Sequence, residues 1–246
     1  SISLCVEQQA ALIPSLHHHS TAMIVRKLVV LLLTTLLASC AFTVVAAEDT
    51  TIVEFDVQLA PGQSGSFQVE VHPEWAPLGA ARFLELVQSP DNNPSFWKGL
   101  RFFRVVDGFM CQFGIPGKPA LAAAWRDQTL KDDPVIESNQ RGYLSFATSG
   151  KDSRTTQMFI NFGDNANLDG MGFSPFAKVL GTGMEEVVDK IYSGYGDGAP
   201  AGKGPEQGRI QEEGNKYLKR HFPNLSYVTA VRVVSSSGSS ADGGGE

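Results

Sequence analysis

The chain of 246 residues is 42% hydrophobic, 19% charged and 9% aromatic, an ordinary globular composition that excludes collagen-like, coiled-coil and wholly disordered chains. Its 20 Lys and Arg against 26 Asp and Glu give a net charge of −6, spread along the chain rather than gathered into the basic stripe of a nucleic-acid binder. Cys5, Cys40 and Cys111 cannot make a disulfide framework, so stability must come from a buried core.

Residues 1–22 have no period of their own and read as a non-structural leader, with the run His17–His19 incidental to it. From Met23, Arg26 and Lys27 precede an uncharged apolar stretch, Leu28 to Ala47, that ends in small residues. That pattern predicts a secretory signal over residues 23–47, cleaved before Glu48, and a secreted or periplasmic location. A retained membrane anchor is the rival, since about 20 apolar residues span a bilayer. Leu37–Cys40 also fits a bacterial lipidation box, and Ser39–Phe42 fits a plastid-targeting junction of algae with secondary plastids. Beyond residue 47 only His72, His221 and Cys111 remain of the histidines and cysteines.

Apolar alternation predicts a strand over Thr51–Leu59, turn chemistry over Pro61–Ser66 and a second strand over Phe67–Val71, together a hairpin. Pro73–Pro77 opens a helix with Trp75, Gly79, Phe83, Leu86 and Val87 on one stripe. After a polar loop over residues 89–95, Phe96–Phe113 has strand composition broken at Asp107-Gly108. Short strands follow at Gly142–Ala147, Gln157–Asn161 and Pro175–Val179, then a helix over Met184–Tyr192. Gly194–Gly208 is too rich in Gly and Pro for regular structure. A helix over Gln211–Phe222 and a strand over Tyr227–Val234 precede a flexible Ser/Gly tail, residues 235–246. Many short strands with a few separated helices predict one mainly β domain, residues 48–234.

Several chemistries fail on residue type. Two distant histidines and one cysteine cannot ligate zinc, and Cys111 lies in an apolar run (GFMCQF) that suits an inert buried thiol. Gly198–Gly204 is one residue short of a phosphate loop and ends in Gly where Ser or Thr is needed, while Asn165–Gly170 lacks the distal Glu of a calcium loop. No metal, cofactor or covalent intermediate is expected.

The block FFRVVDGFMCQ over Phe102–Gln112 resembles the cyclophilins, the peptidyl-prolyl cis–trans isomerases. So do Gly142–Ala147, Thr155–Asn161, Leu168–Gly170 and Phe176–Val179, in the family's order and spacing, and the insert from Gly194 to Asn224 resembles a bacterial-type and algal branch. The resemblance implies a closed antiparallel eight-stranded barrel capped by two or three helices. It also implies catalysis of X–Pro rotation in unfolded or nascent proteins by a monomer, with a non-catalytic proline-peptide-binding chaperone as the alternative. Arg104, sharing a face with Phe102 and Val106, takes the catalytic position, and Gln112 and Gln157 orient it or contact substrate backbone. Phe109, Met110, Phe159 and Leu168 line the proline pocket, and Ala147 and Thr148 offer backbone groups to an extended peptide. Three positions depart from the family: Asn167 replaces a frequent tryptophan and weakens the expectation of cyclosporin binding, Thr148 replaces Asn, and Phe173 stands in for the pocket histidine.

Overall fold

A computed structural model describes residues 50–89 and 94–236. The leader, the stretch 23–47 and most of the Ser/Gly tail lie outside the described residues.

The alternation at the start of the domain becomes β1 (Thr51–Ala60), which turns Val53, Phe55 and Val57 inward. It pairs antiparallel with β2 (Gln63–Val71). The turn is tighter than expected, because Ser64, Gly65 and Ser66 stay extended opposite Gln58, Val57 and Asp56. Trp75 stays outside the helix, stacked on the His72 ring at 3.7 Å, and α1 runs from Pro77 to Gln88 with Ala80, Phe83, Leu86 and Val87 buried. Its first N–H groups have an anionic partner. Leu78 and Gly79 donate to the two carboxylate oxygens of buried Asp133 at 3.0 and 2.9 Å, and Arg154 Nη1 neutralises that carboxylate at 3.0 Å.

The strand expected to start at Phe96 begins only at β3 (Arg104–Val106), which turns at Asp107-Gly108 into β4 (Met110–Phe113). Phe96 and Trp97 lie in a turn and plug the core instead, with Trp97 Nε1 donating to Leu86 O at 2.8 Å. An unanticipated helix, α2 (Pro119–Arg126), precedes β5 (Tyr143–Phe146) and β6 (Met158–Asn161). A 3₁₀ segment, Ala166–Met171, leads into β7 (Pro175–Val179). The helix expected over Met184–Tyr192 is a single turn, α3 (Gly183–Glu186), and a 3₁₀ turn, because Val187 leaves helical geometry at φ −131°. The last helical stretch is likewise two pieces, α4 (Gln207–Glu213) and α5 (Asn215–His221), broken by Gly214 at φ +60°. Finally β8 (Tyr227–Ser236) extends into the expected tail, where Ser235 and Ser236 pair with Ile52 and Thr51.

The strands form one antiparallel sheet of eight in the order β3-β4-β6-β5-β7-β2-β1-β8. It is an open half-barrel, which corrects the expectation of a closed barrel. No ladder joins the two edge strands; the segment before β3 meets β8 through the isolated bridge Arg101–Tyr227 and a few backbone bonds, among them Val228 N to Leu100 O at 2.8 Å. Gly99, at φ +80°, bends the chain within this contact, its N–H donating to Val228 O at 2.8 Å. Phe55, Phe67, Phe83, Trp97, Phe113 and Phe176 fill the core. Among the described residues no helix is long and apolar enough to cross a membrane.

Candidate active site

The pleat of β3, β4 and β6 divides their side chains between two surfaces. Val105, Cys111, Phe113, Met158 and Ile160 enter the core, while Val106, Met110 and Phe159 turn to the opposite face. There Met110, Phe159 and Leu168, each 5% exposed or less, form a separate apolar cluster edged by Phe109, Ala147 and Phe173. This cluster floors a cleft of about 360 Å³, large enough for a proline ring and its neighbours. Phe102 is not on the face of Arg104 as the alternation suggested. It precedes β3, where the strand period does not hold, and packs in the core 5.0 Å from the Phe113 ring.

Arg104 stands at the polar end of the cleft, and the register sets it directly opposite Gln112 and Gln112 opposite Phe159. Its Nη1 donates to Gln112 Oε1 at 3.2 Å, and Gln112 Nε2 donates to Gln157 Oε1 at 2.9 Å, so Gln157 acts on the arginine through Gln112. The other edge of the guanidinium meets Asp197: Nε donates to Oδ1 at 2.6 Å and Nη2 to Oδ2 at 3.3 Å. The hydrogen bond from Arg104 holds the Asp197 carboxyl below the ordinary aspartate range. A second N–H on each Nη is left over from these bonds, and Arg104 still borders the cleft.

A buried polar network holds the apolar floor. Asn139, fully buried, donates from Nδ2 to Asp169 Oδ1 and to Phe173 O, both at 2.8 Å, and accepts from Ser145 Oγ at 2.7 Å. Asn165 Nδ2 donates to Phe109 O at 2.8 Å and Phe173 N to Leu168 O at 3.3 Å. The backbone of three cleft residues is therefore tied down, and the Phe159 and Phe173 rings meet edge to face at 5.6 Å.

The ten residues that the resemblance assigns to the site all border this cleft, namely Arg104, Phe109, Met110, Gln112, Ala147, Thr148, Gln157, Phe159, Leu168 and Phe173, while Asn167 is not among its lining residues. One expected backbone donor, and a hydroxyl beside it, are already committed within the fold. Ala147 N donates to Gln157 O at 2.9 Å, which removes that donor from any peptide, and the Thr148 hydroxyl bonds to Gly150 O and to Ser153 Oγ within its own loop. Ser149, Ser153, Thr155 and Gln207 also line the cleft and were not anticipated, nor was Asp197. A short hydroxyl-rich loop after a strand carries no signal for which hydroxyl turns inward. Asp197 was concealed in a stretch that looked merely irregular.

The model of the family described as cyclophilin type peptidyl-prolyl cis-trans isomerase/CLD matches residues 55–212, which include the whole of this cleft. The chain belongs to the cyclophilin-type peptidyl-prolyl cis–trans isomerases. It is 36% identical over 133 residues to peptidyl-prolyl cis–trans isomerase A of Dickeya dadantii, covering 52% of this chain and 66% of that one. To an Acinetobacter baylyi peptidyl-prolyl cis–trans isomerase it is 34% identical over 150 residues, covering 57% and 71%. The crystal structure of a Cryptosporidium parvum cyclophilin superposes with a TM-score of 0.51 at 16% identity, over 76% of this chain and 99% of that one, which shows a shared fold. The cleft of this cyclophilin domain joins a greasy floor to a fixed cation.

Proposed function

We propose that the cleft seats an X–Pro segment of an unfolded or nascent protein, with the proline ring on Met110, Phe159 and Leu168 and the twisting amide beside Arg104. Rotation about the prolyl C–N bond faces a barrier of about 18–20 kcal/mol because lone-pair resonance makes the bond partly double. Twisting breaks that resonance and leaves a pyramidal nitrogen with a free lone pair. The N–H groups that Arg104 retains can donate to that nitrogen or to the carbonyl being released, and each ~1.4 kcal/mol of extra stabilisation in the twisted state is worth about tenfold in rate. Gln112 keeps the guanidinium in place, so little reorganisation is needed when the amide twists.

The observation that carries this reading is the placing of the Arg104 guanidinium and the apolar cluster on one cleft. NMR exchange spectroscopy on a prolyl peptide tests it. Arg104→Ala should lose most of the exchange enhancement yet still bind the peptide; undiminished exchange would overturn the assignment of Arg104. Binding by the wild-type protein with no exchange would make the cleft a holding site. The basic-then-apolar pattern of residues 23–47 supports action in the secretory pathway.

A further inference from the structure

We propose that Asp197 is a positioning residue for Arg104, setting the direction of the N–H groups that meet the twisted amide. The inference rests on the reading of Arg104 as the catalytic donor. Without Asp197 the guanidinium would keep one hydrogen bond to Gln112 and a loose contact with the Phe109 ring, 6.0 Å from Cζ to the centroid, and could still swing about its last bonds, because a single hydrogen bond at Nη1 fixes a point and not a plane. The Asp197 carboxylate grips the Nε–Nη2 edge with both oxygens, and a planar group held at two separated places has a single orientation. What remains free is one N–H on each Nη, away from the edge that Asp197 covers.

The loop around Asp197 is built for this contact. Its own Oδ1 accepts from Gly198 N at 2.7 Å, and its carbonyl accepts from Gly204 N at 2.8 Å. Val105 N, on the strand that carries Arg104, donates to Gly196 O at 3.3 Å, so loop and strand are tied beside the ion pair. A Cβ at position 202 would lie 2.3 Å from the Asp197 carbonyl oxygen, which explains glycine there. Tyr195, next but one before Asp197, anchors the loop on Phe222 with ring centroids 5.0 Å apart. With Asp197 40% exposed and Arg104 27% exposed, the pair adds little to stability in water, which leaves orientation as its main effect.

The test measures kcat and KM on a prolyl peptide by NMR line shape for the wild type, Asp197→Ala, Asp197→Asn, Arg104→Lys and the double variant Arg104→Lys/Asp197→Ala. A misdirected donor should lower kcat about tenfold in Asp197→Ala while KM stays within about twofold. Asp197→Asn, which keeps an oxygen for the Nε–H, should lose about twofold to threefold. In the Arg104→Lys background, where no fork is left to orient, the penalty of Asp197→Ala should disappear. Wild-type or higher kcat in Asp197→Ala, or a penalty of equal size in the lysine background, would overturn the proposal. If Asp197→Ala melts below the assay temperature, Asp197→Asn decides alone: kcat equal to wild type refutes the proposal. Full activity in Arg104→Ala would instead refute the assignment of Arg104 itself, so the two failures are distinct.

Discussion

Asn139→Ala is the sharpest probe of how the fold holds its cleft. The side chain is fully buried, yet no substrate would touch it. Truncation leaves Phe173 O, one contact of the Asp169 carboxylate and the Ser145 hydroxyl without their partner. Each buried group orphaned in this way costs about 1–3 kcal/mol. Asn139 N still donates to Asp169 Oδ1 at 2.9 Å, so that loss is partial, and a water entering the space could serve the other two. Phe173 O and the Asp169 carboxylate are also only part-buried, so the low end applies to each of the three groups, about 3 kcal/mol in all, or roughly 6–12 °C in Tm for a domain of this size. Urea denaturation followed by tryptophan fluorescence measures the first figure and calorimetry the second. At a temperature where the variant is folded, KM for a prolyl peptide should rise while Arg104 and its partners stay in place, because Phe173 loses one of its two backbone tethers and packs less firmly against the Phe159 ring. A loss below about 1 kcal/mol with unchanged KM would refute the claim that this network supports the floor.

Other outcomes follow from the same geometry. Phe159→Ala opens the centre of the apolar floor and should raise KM about tenfold with kcat less affected, since the ring contributes to binding in ground and twisted states alike; a loss confined to kcat would contradict that. Cys111 is fully buried and burial pushes its thiol well up, so a disulfide reagent should label it only after denaturation, and rapid labelling of the native protein would place it elsewhere. Arg104 depresses the Asp197 carboxyl below its ordinary value near 3.8, so the ion pair's contribution is present above that pH and lost as pH falls through the lower folded value. Stability should therefore not change through Asp197 between about pH 5 and 8, and Asp197→Asn should flatten only the acid limb of a pH–stability curve.

The strand alternation of Thr51–Leu59 was legible because one buried face imposes a period on the residues themselves, whereas the site block from Arg104 to Gln112 was legible through its resemblance to the cyclophilins. Where burial came from elsewhere, that signal misled. Phe96 and Trp97 read as strand because they are large and apolar, but a turn delivers them to the core just as well. Helix α2 turns Leu121 and Trp125 to the core with only Ala122 buried, a stripe too short to be read over eight residues. Val187 and Gly214 interrupt helices through backbone angles, and residue spacing does not record those. Within the cleft, the apolar residues could be named only through the family resemblance, since by residue type each reads as core, whereas the pairing of Arg104 with Asp197 spans 93 positions and depends on the path of a glycine-rich loop.

One strand separates cleft from core: Met110 and Gln112 face the substrate side of β4, while Cys111 and Phe113 on its reverse are fully buried. Such a thin wall has no slack, and the recognition surface is as stiff as the hydrocarbon behind it. A bound proline-containing peptide must therefore supply the conformational adjustment. Enlarging Cys111 by a single methylene should blunt turnover from the far side of the wall, without any atom of the variant reaching the peptide.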